Sequence, residues 1–285
     1  MKKRWIGLLL AGVMAVTAVS GCSQSTDAIA ETKAANRLEE IIARGYIEVV
    51  TEPYFAPYEF IDSAKTGSEQ YVGSDIEMAK YIAEQLGVEL RIVPLEFSAV
   101  LSSVTEGKYD LAISALAYTP ERAEAMIMSS GYNFQATEGY GLLVREEDAG
   151  KYPDVASLKD AVIVVQSGSL QELFVTTQVP EYKELKRVSA TTDGFLMVQE
   201  GKADVAGAAI GMGSLFAEAN TGVAIADRFR FVEDETTQGT RIGIPKGEEE
   251  LAARIEEIIK TLNASGQYEV WYQEYSEYAK SLGIE

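Results

Sequence analysis

The residue types that are missing restrict the chemistry open to this chain. None of its 285 residues is histidine, and its single cysteine is Cys22. Catalysis by Ser-His-Asp or Cys-His arrangements and metal binding by histidine are therefore excluded, as is an internal disulfide. We expect neither a metal nor a cofactor, which leaves the chemistry of charged, hydroxyl and aromatic side chains.

Arg122 is the charged residue with the most specific context. It ends the motif Thr119-Pro120-Glu121-Arg122, which follows an apolar segment typical of a buried strand. A guanidinium binds a carboxylate through two parallel hydrogen bonds, a geometry that lysine does not offer. The alternative is a surface arginine paired with Glu121 or Glu124, but the position after a strand favours a ligand carboxylate.

A second place for an anion is predicted where Gly168, Ser169 and Leu170 join a strand to a helix. The first amides of a helix lack intrahelical acceptors and carry partial positive charge, which favours a carboxylate. An ordinary capping role for Ser169 is compatible with this function. Ser114 and the backbone of Ala117, on the segment leading to the arginine motif, offer further donors.

Alternating strand and helix patterns position these residues. Strands are predicted at 46–51, 88–93, 109–116, 162–166 and 203–209, and helices at 38–44, 75–86, 100–106, 170–177, 194–200, 251–262 and 268–275. Such alternation predicts α/β lobes with mostly parallel sheets. Because single cores rarely grow beyond roughly 250 residues, this length favours two lobes with a cleft between them.

The first 22 residues have the pattern of an export signal. Three basic residues precede an apolar stretch from Trp5 to Val19, and the small residues Ser20 and Gly21 lead into Cys22. This stretch is shorter than a membrane span, which needs about 20 residues. The sequence around Cys22 resembles a bacterial lipobox, in which the cysteine is lipidated. We therefore expect a signal peptide at 1–21, a lipidated cysteine with a flexible tether at 22–37, and an extracytoplasmic, membrane-anchored protein.

The charge balance argues against one class of partner. The formal net charge is -19, from 44 acidic and 25 basic residues. A surface this acidic repels phosphate backbones, so we expect no nucleic-acid binding. We expect a monomer with a well-solvated exterior.

Six motifs in order resemble the family 3 solute-binding proteins of polar amino-acid ABC transporters. They are Val50–Phe60, Val72–Ala79, Gly107–Leu111, Tyr118–Arg122, Val165–Ser169 and Gly201–Val205. Ser74 departs from the family, which usually has an aromatic or aliphatic residue there. The resemblance spans about 38–273 and implies a two-lobed, type II periplasmic-binding-protein-like fold. Lobe 1 would be 38–143 plus 238–285 and lobe 2 would be 144–237, with hinge strands near Leu143–Val144 and Arg241–Ile242.

The same resemblance implies a function without catalysis. The chain would be the extracellular component of an ABC importer, bind a small amino acid or amino-acid-like carboxylate between its lobes, and deliver it to a permease. Arg122 would hold the α-carboxylate, and Phe55 and Phe97 would sandwich the ligand side chain. Glu52 stands where the family often has an acid that contacts cationic side chains.

Ala209 departs from the family in a way that bears on the ligand. Relatives carry an aspartate at this position, five residues after the one matching Asp204, and that aspartate binds the α-ammonium. Burying an ammonium without an acceptor costs several kcal/mol. Either Glu52 or another acid takes over that charge, or the ligand lacks a free α-ammonium.

Two other functions stay open at this point. Some proteins that resemble this fold are dehydratases of cyclohexadienyl acids, for which Glu52 and Glu172 are conceivable acids. A ligand sensor, read by a separate partner protein, is the other alternative.

Overall fold

The structure is a computed structural model that describes residues 35–134, 138–234, 237 and 239–283. The predicted signal peptide and Cys22 lie outside the described residues. Asn36 accepts a hydrogen bond from the Glu39 amide and caps the first helix, which begins at Arg37 and so takes in the last residue of the predicted tether. No helix within the described ranges is long and apolar enough to cross a membrane.

Strands and helices alternate through the described residues. The strands are β1 Tyr46–Thr51, β2 Phe60–Ile61, β3 Tyr71–Val72, β4 Glu89–Pro94, β5 Leu111–Ala117, β6 Ile127–Met128, β7 Tyr140–Arg145, β8 Val162–Gln166, β9 Glu184–Val188, β10 Val205–Ala209, β11 Val223–Ile225 and β12 Thr240–Ile244. The α-helices are α1 Arg37–Arg44, α2 Ser74–Leu86, α3 Phe97–Thr105, α4 Pro120–Ala125, α5 Leu170–Gln178, α6 Thr191–Gln199, α7 Ile210–Ala219, α8 Glu249–Ser265 and α9 Gln267–Ser281.

The predicted elements are present, with differences at their ends. Helix α3 begins at Phe97 rather than at 100, and α6 begins at Thr191 rather than at 194. The first turn of α6 is polar, so its apolar pattern starts one turn late, whereas Phe97 already fits the apolar spacing of α3 and the prediction begins that helix too late. Strand β9, with sequence ELKRV, was not predicted because its charged residues suit an exposed sheet edge.

Two five-stranded sheets share one strand order. The first runs β4-β1-β5-β12-β6 and the second β9-β8-β10-β7-β11. The fold class is confirmed, but the sheets are mixed rather than mostly parallel. Each has two parallel pairs, β1–β4 with β1–β5 and β8–β9 with β8–β10, and two antiparallel pairs around β12 or β7.

The first crossing between the sheets lies before the predicted boundary at 143/144, whereas the return crossing includes the predicted boundary at 237/238. Leu143 and Val144 both lie inside β7 and pair only within the second sheet. The first crossing falls between β6 and β7, and the return crossing falls between β11 and β12. The two crossing segments meet where Asn133 bridges Thr240. A buried apolar strand such as β7 would fit either sheet. Its apolar pattern therefore does not show where the chain crosses from one sheet to the other.

Candidate functional site

A cleft of about 780 Å³ lies at the carboxyl ends of four strands. Glu52 follows β1, Ala117 ends β5, Gln166 ends β8 and Ala209 ends β10, and all four line this cleft. In open α/β sheets, the carboxyl ends of parallel strands are the usual place for a ligand. The two sheets thus present their ligand-binding edges to one another.

Nine of the ten residues predicted to bind ligand line the cleft. They are Glu52, Phe55, Phe97, Ser114, Ala117, Arg122, Ser169, Leu170 and Ala209. Gly168, the tenth, does not line it, although its carbonyl contacts the guanidinium of Arg122. Cleft residues that the sequence did not single out include Glu59, Gln166, Tyr140 and Glu233.

Arg122 is 7% exposed and spans the two halves of the cleft. Its Nη1 donates to the carbonyl of Ala117 at 2.8 Å, and its Nη2 donates to the carbonyl of Gly168 at 2.9 Å. Thr119 caps α4 by accepting a hydrogen bond from the Arg122 amide, which fixes the base of the side chain. Burial lowers the pKa of Arg122 to about 10. The guanidinium forms no ion pair with any described residue, so the alternative of a pair with Glu121 or Glu124 does not occur.

Ser169 caps α5 beside this guanidinium. Its Oγ accepts a hydrogen bond from the Glu172 amide at 3.2 Å and donates to the carbonyl of Gln166 at 2.7 Å. Because the hydroxyl is used twice, its only proton is already committed. The amides of Leu170 and Gln171, in the first turn, have no intrahelical acceptor and are the donors that this helix offers to an anion.

Glu52 lies in the cleft as a buried acid, 4% exposed. Its Oε1 accepts a hydrogen bond from Nε2 of Gln166 at 2.9 Å, across the cleft. Gln166 is itself held by the Ser189 carbonyl and the Thr191 hydroxyl. Burial raises the pKa of Glu52 to about 8, an effect that the Gln166 hydrogen bond only partly offsets. No described basic side chain pairs with this carboxyl.

A second buried acid, Glu59, lies behind Glu52. Ser114 accepts a hydrogen bond from the Glu52 amide at 3.1 Å and donates to Glu59 Oε1 at 2.9 Å. Burial and the nearby negative charge of Asp75 raise the pKa of Glu59 well above its usual range. Its Oε2 is buried and has no hydrogen-bond partner among the described residues. Burial and the charge of Asp75 therefore both favour the protonated form of Glu59.

Asp75 fixes a segment of the cleft wall. It accepts hydrogen bonds from the Ala115 amide at 2.8 Å and from the hydroxyls of Tyr132 at 2.9 Å and Tyr268 at 2.6 Å. Ala115 has φ +47°, a left-handed conformation that costs a non-glycine residue about 1–2 kcal/mol. Strain of this kind persists where surrounding contacts over-determine the backbone.

The two predicted aromatic residues face the cleft from different elements. Phe55 stacks on Tyr58, with ring centroids 5.5 Å apart, and Tyr58 makes an edge contact with Tyr272 of α9. Phe97 begins α3, and its ring centroid lies 5.5 Å from the Arg122 guanidinium carbon. The structure records no ring contact between Phe55 and Phe97 themselves.

Neither Ala209 nor Glu172 supplies an acidic group to the cleft. Ala209 precedes α7 and gives that helix no side-chain cap. Glu172 is outside the cleft lining, where it accepts hydrogen bonds from the Gly168 amide at 2.7 Å and from Arg187 at 2.5 Å. These two hydrogen bonds give Glu172 a structural role. Within the described ranges, no group of acids is arranged to hold a metal ion.

The paired sheets and the cleft at their carboxyl edges define a two-lobed α/β binding protein. The model of the bacterial extracellular solute-binding proteins, family 3, matches residues 47–278. The chain belongs to this family. The predicted family is therefore confirmed, and with it an extracytoplasmic type of protein.

Proteins similar to this chain include binding proteins and an enzyme. The arginine-binding extracellular protein ArtP of Bacillus subtilis is 28% identical over 212 residues, 73% of this chain and 72% of ArtP. A structure of the substrate-binding protein AbpA of Streptococcus pneumoniae, bound to L-arginine, has 30% identity and a TM-score of 0.75 and covers 87% of this chain and 99% of AbpA. The membrane-bound lytic murein transglycosylase F of Alcanivorax borkumensis is 30% identical over 172 residues. The match covers 59% of this chain but only 35% of that enzyme.

Proposed function

We propose that this chain binds an α-amino acid with a cationic side chain and delivers it to the permease of an ABC importer. The observation that carries the proposal is Arg122, a buried guanidinium that lines the cleft and has no acidic partner among the described residues. The free amides of α5 lie beside it. This combination suits the α-carboxylate of a ligand.

The cationic side chain is supported by the opposite wall. Glu52 is a buried acid without a described basic partner, and the aromatic rings of Phe55 and Phe97 line the same cleft. Aromatic faces attract a cation as well as an apolar stem. The L-arginine bound by AbpA and the arginine-binding role of ArtP agree with this ligand class.

Titration calorimetry of the purified full chain tests the proposal. L-arginine is expected to bind with saturable heat, followed in rank by lysine and ornithine among the common amino acids. Absence of heat with all standard amino acids would overturn it. Consumption of prephenate-like cyclohexadienyl acids by the same preparation would instead support the enzyme alternative, with Glu52 as the acid.

We also propose that the mature chain starts at a lipidated Cys22 and acts as a monomer on the outer face of the membrane. The basic, apolar and small residues of positions 2–21 support this processing. Several acyl chains on one cysteine hold a protein stably on a membrane. Mass spectrometry of the membrane-extracted protein is expected to find an acylated Cys22 at its N-terminus, and an unmodified cysteine there would contradict the anchor.

A further inference from the structure

Ala209 leaves one group of an α-amino acid without a partner. The ammonium and the carboxylate are attached to the same carbon, so an acceptor for the ammonium has to lie close to Arg122. Ala209, at the end of β10, offers only a methyl group. An ammonium buried there without an acceptor would bind poorly.

The strand next to β10 brings another acid to this place. Ala209 lies directly opposite Tyr140 in the antiparallel pair of β10 and β7. On the other side of Tyr140, the amide of Phe231 donates to the Tyr140 carbonyl at 2.9 Å. The segment that follows β11 therefore runs along the start of β7, and it carries Glu233 into the cleft lining.

Gly139 provides the space that the Glu233 carboxylate occupies. A side-chain carbon built on Gly139 would lie 2.7 Å from Glu233 Oε1, closer than real contacts allow. Gly139 also has φ +83°, a conformation that glycine adopts without strain. The carboxylate is thus seated against backbone, whereas Glu138 and Glu218, the other acids on this side of the cleft, are exposed.

The surroundings of Glu233 leave its charge available to a ligand. It forms no ion pair with a described residue. Burial raises its pKa, with the backbone N–H of Tyr140 as a partial offset. Burial raises the pKa of Tyr140 to about 12, and the charge of Glu233 adds to this rise while that of Arg122 opposes it. Glu233, Tyr140 and Arg122 all line the same cleft, and Tyr140 lies opposite Ala209 in the sheet.

We propose that Glu233 accepts the ligand's α-ammonium and so replaces the acid missing at position 209. The inference rests on the proposed function, because it assumes that Arg122 holds the α-carboxylate. Glu233 lies in the return crossing and would supply the carboxylate that Ala209 lacks.

Two ligands that differ only in the ammonium test the role of Glu233. These are L-arginine and its deamino analogue, 5-guanidinopentanoate, titrated into the full chain by calorimetry. Glu233→Gln is expected to weaken L-arginine binding by about 10-fold or more, as for a lost charged hydrogen bond, and to leave the analogue within about 2-fold. Ala209→Asp added to Glu233→Gln is expected to restore L-arginine binding. Glu250→Gln, an exposed acid of α8 outside the cleft, is the charge-matched control and should change neither affinity.

The outcomes separate this inference from the proposed function. Equal losses for both ligands in Glu233→Gln, or no loss for either, would overturn the role of Glu233 while leaving amino-acid binding in place. A wild-type chain that binds 5-guanidinopentanoate but not L-arginine would likewise overturn it, because the ammonium would then have no acceptor. If neither ligand binds the wild-type chain, the proposed function fails, and the inference fails with it.

Discussion

Single side chains decide which charges the cleft can hold. The guanidinium of Arg122 bridges backbone carbonyls of both halves and has no described acidic partner, so it remains able to bind an anion. Glu52 faces the same cleft and is protonated near neutral pH because of its burial. The cleft is therefore built around one permanent positive charge and an acid whose charge depends on pH.

Replacing Arg122 by lysine is expected to weaken ligand binding by about 2 kcal/mol or more, or roughly 30-fold in Kd. Lysine keeps the charge but loses the fork that reaches the Ala117 and Gly168 carbonyls as well as a carboxylate. Calorimetry gives the affinity, and thermal unfolding of the variant and the wild-type chain checks that the fold is intact. Unchanged affinity would show that Arg122 does not clamp the carboxylate.

Affinity for L-arginine is expected to rise with pH because of Glu52. A cation pairs only with the ionised carboxylate, and the pKa of about 8 in the free protein means that most Glu52 is protonated at pH 6. Between pH 6 and pH 8 the ionised fraction, and with it the affinity, should increase roughly 50-fold. Calorimetry at both pH values measures this change, together with proton release in buffers of different ionisation enthalpy.

Glu52→Gln is the matched control for this pH dependence. The amide keeps the shape of the side chain but cannot ionise, so the affinity that remains should vary little between pH 6 and pH 8. A wild-type affinity that does not depend on pH would contradict a contact between Glu52 and the ligand cation.

Whole elements position these side chains from behind the cleft. Helix α9 holds α2 through the hydrogen bond from the Tyr268 hydroxyl to Asp75, and Asp75 in turn holds the backbone of Ala115 in the cleft wall. The aromatic contacts from Tyr272 through Tyr58 to Phe55 connect the same helix to the loop after β1. Helix α9 therefore supports the site from behind, although Asp75 itself does not line the cleft.

Tyr268→Phe is expected to lower the free energy of unfolding by about 2 kcal/mol, because a buried carboxylate loses a donor. Tyr275→Phe, which removes a hydrogen bond to the more exposed Glu77, should cost less than about 1 kcal/mol. Urea denaturation of both variants measures the difference. Equal effects would mean that burial of Asp75 does not set the strength of its hydrogen bonds.

At the scale of the whole molecule, two hydrogen bonds between described residues cross the cleft. Arg122 donates to the carbonyl of Gly168, and Gln166 donates to Glu52. Both connect elements of the first sheet to elements of the second. Solute-binding proteins of this architecture close by motion about the crossing segments. These contacts are therefore expected to favour the closed form before the ligand enters.

Gln166→Ala is expected to increase the radius of gyration of the ligand-free chain and to leave that of the ligand-saturated chain unchanged. The variant removes the hydrogen bond from Gln166 to Glu52 across the cleft. The other side-chain partners of Gln166, which are Ser189 and Thr191, belong to the second half. Small-angle X-ray scattering measures both states. Gln178→Ala, whose hydrogen bonds to Val232 stay within the second half, is the control. A ligand-free radius that does not change would show that Gln166 does not hold the cleft closed.

The amino-acid sequence alone predicted the type of most main elements, with β9 and α7 as exceptions, and many of the residues that line the cleft. Apolar spacing along β1, β5, β8 and β10 predicts strands, and the residues at their carboxyl ends come to one edge of each sheet. Nine of ten predicted site residues line the cleft, and the family resemblance rather than spacing singled out Phe55, Phe97 and Ala209 among them. These features are local in the chain, so spacing and motif suffice to predict them.

Only the tertiary structure decided which distant residues meet. It placed β7 in the second sheet, set Glu59 against Asp75, and brought Glu233 over Gly139. It also raised the pKa of Glu52, since burial rather than residue type controls that shift. The period of a sequence specifies which face of a strand is apolar, but not which strand lies beside it. The residue that replaces the missing acid at Ala209 was therefore visible only once β10, β7 and the return crossing lay side by side.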